Sequence, residues 1–169
     1  MGLRFAEYVK TVVDIDKTGE KILKERNLVF FKIIKSRLKL LPGAKNFLEK
    51  MKQNFKTALV TSSKKDYTDL VFEIIGIKTF FDLVITGEKT KKGKPDPGCY
   101  LLAASKLRVK PNECVVFEDA PNGISAGKNT GMKVVAIPSK YVAGDPTFRQ
   151  ADLVLSSFSE LSLEKIYSL

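Results

Sequence analysis

The sequence VVFEDAPNG, residues 115–123, is the most informative stretch of the chain. Three apolar residues lead into two adjacent carboxylates, Glu118 and Asp119, and a proline, an asparagine and a glycine follow before a helical pattern begins. A short apolar run bounded by turn residues predicts a parallel strand that is buried on both faces. The two carboxylates then lie at the carboxyl end of that strand, which is where open α/β sheets bind their ligands.

The paired carboxylates are open to two interpretations. Two adjacent acids repel each other, and burying them is costly unless a cation is present. Hard oxygen ligands of this kind suit Mg²⁺, so a metal site is one interpretation. The other is that Glu118 and Asp119 only begin a solvated loop and cap the next helix. Residues 115–123 alone do not distinguish the two.

Strand and helix patterns alternate on both sides of this stretch. The patterns predict strands at 57–61, 82–86, 114–119, 133–137 and 153–155, and helices at 44–54, 66–76, 97–107, 120–130 and 161–167. In the helix at 66–76, Leu70, Val71, Ile74 and Ile75 are expected to face inward. Strands that alternate with helices of about ten residues imply a parallel sheet with helices on both faces. We therefore expect a three-layer, Rossmann-like α/β core over residues 42–169.

The first 41 residues have a different pattern. Apolar residues recur at helical spacing from Phe5 to Val13, and a second helical pattern runs over residues 22–38. The sequence LLPG at 40–43 then marks a junction. These features predict a separate helical hairpin over residues 1–41.

Composition excludes several classes of function. The 169 residues include no histidine, which excludes histidine-based triads and metal sites, and the two cysteines, Cys99 and Cys114, fit a reduced cytoplasmic compartment. The sequence has no run of about 18 apolar residues, so no membrane span is predicted. Residues 1–13 lack the apolar core of a signal peptide. The net charge of +10 could attract nucleic acid, but no basic patch interleaved with aromatic residues is present, so a specific nucleic-acid partner is not expected.

Polar residues at three positions form a coherent constellation. The hydroxyls of Thr61 and Ser62 end one predicted strand, Lys94 precedes a helix in a turn stiffened by prolines, and Glu118 and Asp119 end another strand. Each feature is weak alone. Together they would place hydroxyl donors, a lysine and a carboxylate-held metal around one anion, which is the composition of a phosphate site.

Three of these segments resemble the motifs of a known family. TALVTSS at 57–63, GKPDP at 93–97 and VFEDAPNG at 116–123 are similar to the second, third and fourth motifs of the haloacid-dehalogenase-like hydrolases, in the branch of β-phosphoglucomutase-like enzymes and sugar-phosphate phosphatases. LPGA at 41–44 resembles the return from that family's helical cap to its core, which would make residues 1–41 a partial cap.

The resemblance implies a function and a role for each residue. The family hydrolyses small phosphomonoesters with Mg²⁺ through an aspartyl-phosphate. Thr61 and Ser62 would then bind the phosphoryl group, and Lys94 would neutralise it. Glu118 and Asp119 would hold the Mg²⁺.

The family's first motif, Asp-x-Asp-x-Thr at the end of an apolar strand, has one counterpart, VVDIDKT at 12–18. As a genuine motif it would make Asp14 the nucleophile and Asp16 the acid. Three observations favour a chance match within a cap: the helical period before it, Lys10 within the would-be buried strand, and the short interval from Thr18 to residue 42.

On that interpretation the chain lacks the family's first strand and its catalytic aspartates. The sheet would have a gap one strand wide between the strands that end at Thr61 and Asp119, and turnover by the isolated chain would be low or absent. The alternatives are a phosphate- or Mg²⁺-binding remnant without catalysis, one half of a split enzyme and, ranked lowest, a basic nucleic-acid binder.

Overall fold

The computed structural model describes Lys35 and residues 38–169. The chain divides into two compact units, Met1–Lys39 and Leu40–Leu169. The predicted helical hairpin, its interpretation as a cap, and the string containing Asp14 and Asp16 lie outside the described residues.

The second unit alternates strands and helices as its sequence predicts. Its strands are β1 (Ala58–Val60), β2 (Leu83–Ile85), β3 (Val115–Glu118), β4 (Lys133–Ala136) and β5 (Leu153–Val154). Its α-helices are α1 (Ala44–Asn54), α2 (Lys65–Ile75), α3 (Gly98–Leu107), α4 (Pro121–Lys128) and α5 (Leu163–Tyr167). None of the helices in the described part of the chain combines the length and apolar character needed to cross a membrane.

Within residues 38–169 every strand pair is parallel, and the pairs form two sheets. β1 pairs with β2, with Leu59 opposite Val84; β3, β4 and β5 form a second sheet in that order, with Phe117 opposite Val135. The prediction of a parallel α/β fold is therefore confirmed. The sequence also predicts a gap one strand wide between the strands that end at Thr61 and Asp119, and within residues 38–169 no strand hydrogen-bonds to both β1 and β3.

The centre of the core lies at β4. This strand has neighbours on both sides, and its residues Val134, Val135 and Ala136 are fully buried. Helix α4 covers one face with Ile124 and Ala126, which are also fully buried. The residues of β1, by contrast, are all half-buried. Burying a side chain such as that of Ile124 contributes about 1.5–3 kcal/mol, so β4 and α4 supply much of the stabilisation of this sheet.

Helix α2 buries two residues that were not among those predicted to face inward. Thr68 and Phe72 are its buried residues, whereas the four residues expected to face inward are half-buried. The Thr68 hydroxyl donates a hydrogen bond to the Lys64 carbonyl at 3.0 Å, which satisfies it inside the protein. The Phe72 ring lies 6.0 Å from that of Phe81. A threonine that satisfies its own hydroxyl can thus be buried in a core position that apolar periodicity does not reveal.

Candidate active site

Lys94 joins the carboxyl ends of the two sheets. Its ammonium donates a hydrogen bond to the carbonyl of Val60, the last residue of β1, at 3.2 Å. It also forms an ion pair with Oε1 of Glu118, the last residue of β3. Thr61 follows Val60 directly and Asp119 follows Glu118. The structure therefore brings the three segments singled out in the sequence to one edge of the fold.

The ion pair between Lys94 and Glu118 is buried. The side chains are 12% and 8% exposed. A buried ion pair is stabilising only when further hydrogen bonds satisfy both partners, because both charges have lost their water. Here the Val60 carbonyl accepts from the lysine, and the hydroxyl of Tyr100 donates to the same Oε1 of Glu118.

Tyr100 also contacts Lys94 through its ring. The ammonium lies 4.7 Å from the ring centroid, within the range of a cation–π interaction. Burial, and after it the negative charge of Glu118, raises the pKa of Tyr100 above its usual value. The phenol therefore keeps its proton at neutral pH and remains a hydrogen-bond donor to the carboxylate.

A glycine in the next helix makes room for the Glu118 carboxylate. Pro121 occupies the first turn of α4, where its missing N–H costs nothing. Two residues later, a Cβ at Gly123 would collide with the carboxyl carbon and both oxygens of Glu118. The carboxylate can fold back against the helix because residue 123 has no side chain.

The hydroxyl loop, residues 61–63 after β1, is hydrogen-bonded to the end of β2 and to the loop that follows it. The Thr61 amide donates to the Ile85 carbonyl at 2.9 Å, and the Gly87 amide donates to the Ser63 carbonyl at 2.9 Å. The Thr61 hydroxyl accepts from the Ser63 amide at 3.1 Å, which leaves its own proton available to a ligand. Thr61 is half-buried and Ser62 is exposed. Both hydroxyls therefore lie in a loop of fixed shape.

The two carboxylates differ in their surroundings. Both hydrogen bonds to the Glu118 side chain use Oε1, and within residues 38–169 no hydrogen bond uses Oε2. Asp119 is exposed. No cluster of three or more histidine, cysteine, aspartate or glutamate side chains occurs in the described part of the chain. Mg²⁺ is commonly held by one or two carboxylates, with water and substrate phosphate completing its shell, so this pair of oxygen donors fits it.

The arrangement contains two residues that the sequence did not single out, Tyr100 and Gly123. Tyr100 lies on the apolar face of α3, where its spacing is that of an ordinary core residue. Gly123 belongs to the quoted motif, but its contact with Glu118 depends on the path of the chain after Pro121. The only sequence signal for either is its proximity to GKPDP or to VFED.

Comparisons with known proteins place these features in a family. Residues 4–131 match the model of the haloacid dehalogenase-like hydrolases. The Bacillus subtilis protein YhcW is 34% identical over 163 residues, which cover 96% of this chain and 73% of that protein. Hexitol phosphatase A of Escherichia coli is 36% identical over 126 residues, which cover 74% of this chain and 57% of that enzyme.

Solved structures show the same architecture. β-Phosphoglucomutase from Clostridium difficile superposes with a TM-score of 0.79 at 27% identity, covering 96% of this chain and 71% of that one. A HAD hydrolase of family IA, variant 3, from Entamoeba histolytica superposes with a TM-score of 0.84 at 26% identity, covering 99% of this chain and 78% of that one. The motifs, the parallel α/β fold and these matches agree, and the chain belongs to the haloacid dehalogenase-like hydrolases.

Proposed function

We propose that this chain binds a small phosphomonoester, of the sugar-phosphate class, and takes part in its hydrolysis by Mg²⁺-assisted phosphoryl transfer. The observation that carries the proposal is the position of Lys94 between the ends of β1 and β3. The hexitol phosphatase of Escherichia coli supports a phosphorylated carbohydrate as the substrate class. Because the chain spans 57% of that enzyme, the activity of the whole enzyme belongs to the proposal.

Lys94 has a donor to spare for the phosphate. An ammonium group carries three N–H donors, and contacts to Val60 and Glu118 account for two of them. The third would bind a phosphate oxygen. The hydroxyls of Thr61 and Ser62 would donate to the other oxygens from the neighbouring strand end. In this proposal Thr61 and Lys94 are the catalytic groups, since they stabilise negative charge on the transferring group.

Glu118 and Asp119 would hold the Mg²⁺. When bound, the ion would supply positive charge to the phosphoryl oxygens. The exposed Asp119 carboxylate is the more accessible ligand, and Oε2 of Glu118, which accepts no hydrogen bond within residues 38–169, is the second.

The metal assignment is tested by replacing one ligand. Asp119→Asn substitutes a neutral amide for a charged oxygen donor. We therefore expect the Mg²⁺ affinity measured by calorimetry to fall by about tenfold or more. Asp69→Asn is the matched control, because Asp69 is an exposed carboxylate that pairs with Lys65 on α2. Equal Mg²⁺ affinity in the Asp119 variant and the unsubstituted chain would contradict the assignment.

Turnover is a separate question, because the residues proposed to bind the phosphate and the metal include no activated nucleophile. Phosphoryl transfer by the family's route needs an in-line carboxylate and an acid for the leaving group. In this proposal the isolated chain shows little turnover and acts as a phosphate-binding remnant or as one half of an enzyme.

An assay of the chain and its Asp14→Asn variant on a generic phosphomonoester with Mg²⁺ separates the alternatives. Turnover that disappears in the variant would make Asp14 the nucleophile. Phosphate binding without turnover in either protein would assign the remnant or half-enzyme role.

A cytoplasmic location is part of the same proposal. Cys99 and Cys114 are free thiols, as expected in a reducing compartment. Burial raises the pKa of both thiols and favours their unreactive protonated form. No specific nucleic-acid partner is proposed.

A further inference from the structure

Tyr100 makes contacts that a packing residue would not need. Its side chain is 6% exposed, its hydroxyl donates to Glu118, and its ring lies beneath the ammonium of Lys94. A single residue of α3 thus touches both members of the buried ion pair. Helix α3 begins at Gly98, directly after the turn that carries Lys94, so the helix and the lysine share one rigid connection.

The two donors to Glu118 converge on one oxygen. Oε1 accepts from both Lys94 and Tyr100, and a Cβ at Gly123 would collide with the whole carboxylate. A carboxylate with two donors on the same oxygen has a defined orientation, because turning its plane away would lengthen both hydrogen bonds. The other oxygen, Oε2, accepts no hydrogen bond within residues 38–169.

We propose that Tyr100 is a positioning residue of this site: with Lys94 it holds Oε1 of Glu118, so that Oε2 is the oxygen presented to Mg²⁺. The part concerning Mg²⁺ rests on the proposed function. The part concerning Lys94 does not, because the Tyr100 ring and the oriented carboxylate fix the lysine whether or not a metal binds. Groups that orient metal ligands in this way commonly alter metal affinity by about 10- to 100-fold.

Tyr100→Phe isolates the role of the hydroxyl. Phenylalanine fills nearly the same volume and keeps a ring beneath Lys94, so a residue that only packs would tolerate the change. The chain also offers a matched control in Tyr141, which is 85% exposed and lies beside Lys140, with the ammonium 5.1 Å from its ring. Tyr141→Phe removes the same atom from a similar pair outside the site.

The first measurement is Mg²⁺ binding by calorimetry. We expect about tenfold weaker binding for Tyr100→Phe and no change for Tyr141→Phe. In a Glu118→Gln background, Tyr100→Phe should have little further effect, because the oriented carboxylate is already gone. A full additional loss in that background would show that Tyr100 does not act through Glu118.

The second measurement is independent of metal. The rate at which an amine-acylating reagent modifies Lys94 is followed by mass spectrometry, with Lys140 as the internal reference. Tyr100→Phe should raise the relative rate at Lys94 several-fold, since its carboxylate partner becomes mobile and shields it less.

The two measurements separate failure of the proposed function from failure of this inference. If the unsubstituted chain binds no Mg²⁺, the metal assignment fails, and Tyr100 is judged by the reactivity of Lys94 alone. Unchanged Mg²⁺ affinity together with unchanged Lys94 reactivity in Tyr100→Phe would overturn the inference. A Tyr100→Phe protein that no longer unfolds cooperatively would assign the hydroxyl to core stability and overturn it as well.

Discussion

Gly123→Ala should destabilise the protein, although the same change normally stabilises a helix. Gly123 lies within α4, and replacing glycine by alanine inside a helix contributes about 1 kcal/mol on propensity alone. Here the added Cβ would occupy the space of the Glu118 carboxylate. That carboxylate cannot simply swing away, because Lys94 and Tyr100 hold it by Oε1.

The magnitude follows from the loss of the ion pair. Separating a buried pair leaves an uncompensated charge and costs about 3–5 kcal/mol. With the propensity gain of about 1 kcal/mol subtracted, the free energy of unfolding should fall by about 2–4 kcal/mol. Urea-induced unfolding followed by circular dichroism measures this difference directly.

A second background makes the sign of the effect diagnostic. In a Glu118→Ala protein the obstructing carboxylate is absent, so Gly123→Ala should stabilise that protein by about 1 kcal/mol. The predicted reversal of sign between the two backgrounds depends on contact between residues 118 and 123. Stabilisation of equal size in both backgrounds would show that Glu118 does not lie against the helix and would refute the reasoning.

Three further predictions concern the core, the pH dependence and the surface charge. Ile124→Ala should lower the free energy of unfolding by about 2–5 kcal/mol, whereas Val154→Ala, at a residue 49% exposed, should change it by less than about 0.5 kcal/mol in the same unfolding experiment. Burial acts to raise the pKa of Asp152, but hydrogen bonds from Lys128 and the Val134 amide, with the nearby charge of Lys133, hold it below its usual value. The stability that these contacts supply is therefore complete at neutral pH and is lost as the pH falls through the acid range below about 4; Asp152→Asn should flatten that part of a stability–pH curve, and an unchanged curve would contradict the assignment. Any DNA affinity that follows from the net charge of +10 should be independent of sequence and should disappear with added salt in a titration, and tight binding to one sequence at physiological salt would contradict this.

The sequence predicted most of the fold because the decisive patterns are local. The structure places the elements within a few residues of the predicted bounds. Each decisive signal affects only residues within one or two turns of it, as do the apolar run at 115–117, the proline at the start of α4 and the glycine after α2. The two buried residues of α2, Thr68 and Phe72, were not among those predicted to face inward. The hydrogen bond from Thr68 to the Lys64 carbonyl lets a polar residue be buried, which apolar periodicity cannot reveal.

The residue types of the candidate site could be predicted from the sequence, but the hydrogen bonds between them could not. Lys94, Glu118 and the strand end at Thr61 were predicted to come together because parallel strands bring their carboxyl ends to one edge. That Lys94 donates to the Val60 carbonyl, and that Tyr100 shares Oε1 of Glu118 with it, depends on contacts between segments 34 and 18 residues apart. Such contacts follow from the packing of α3, to which the spacing of residues gives no guide.

The division into two sheets gives the site a second property. The hydroxyl loop belongs to the sheet of β1 and β2, and the carboxylates belong to the sheet of β3, β4 and β5. A phosphate that contacts Thr61 and Lys94 together with a cation on Asp119 would therefore cross-link two groups of strands that share no ladder hydrogen bond within residues 38–169. The free energy of binding would add to the free energy needed to open β1 and β2. Ligand binding should then slow hydrogen exchange at the amides of Leu59 and Val84, although neither residue contacts the ligand.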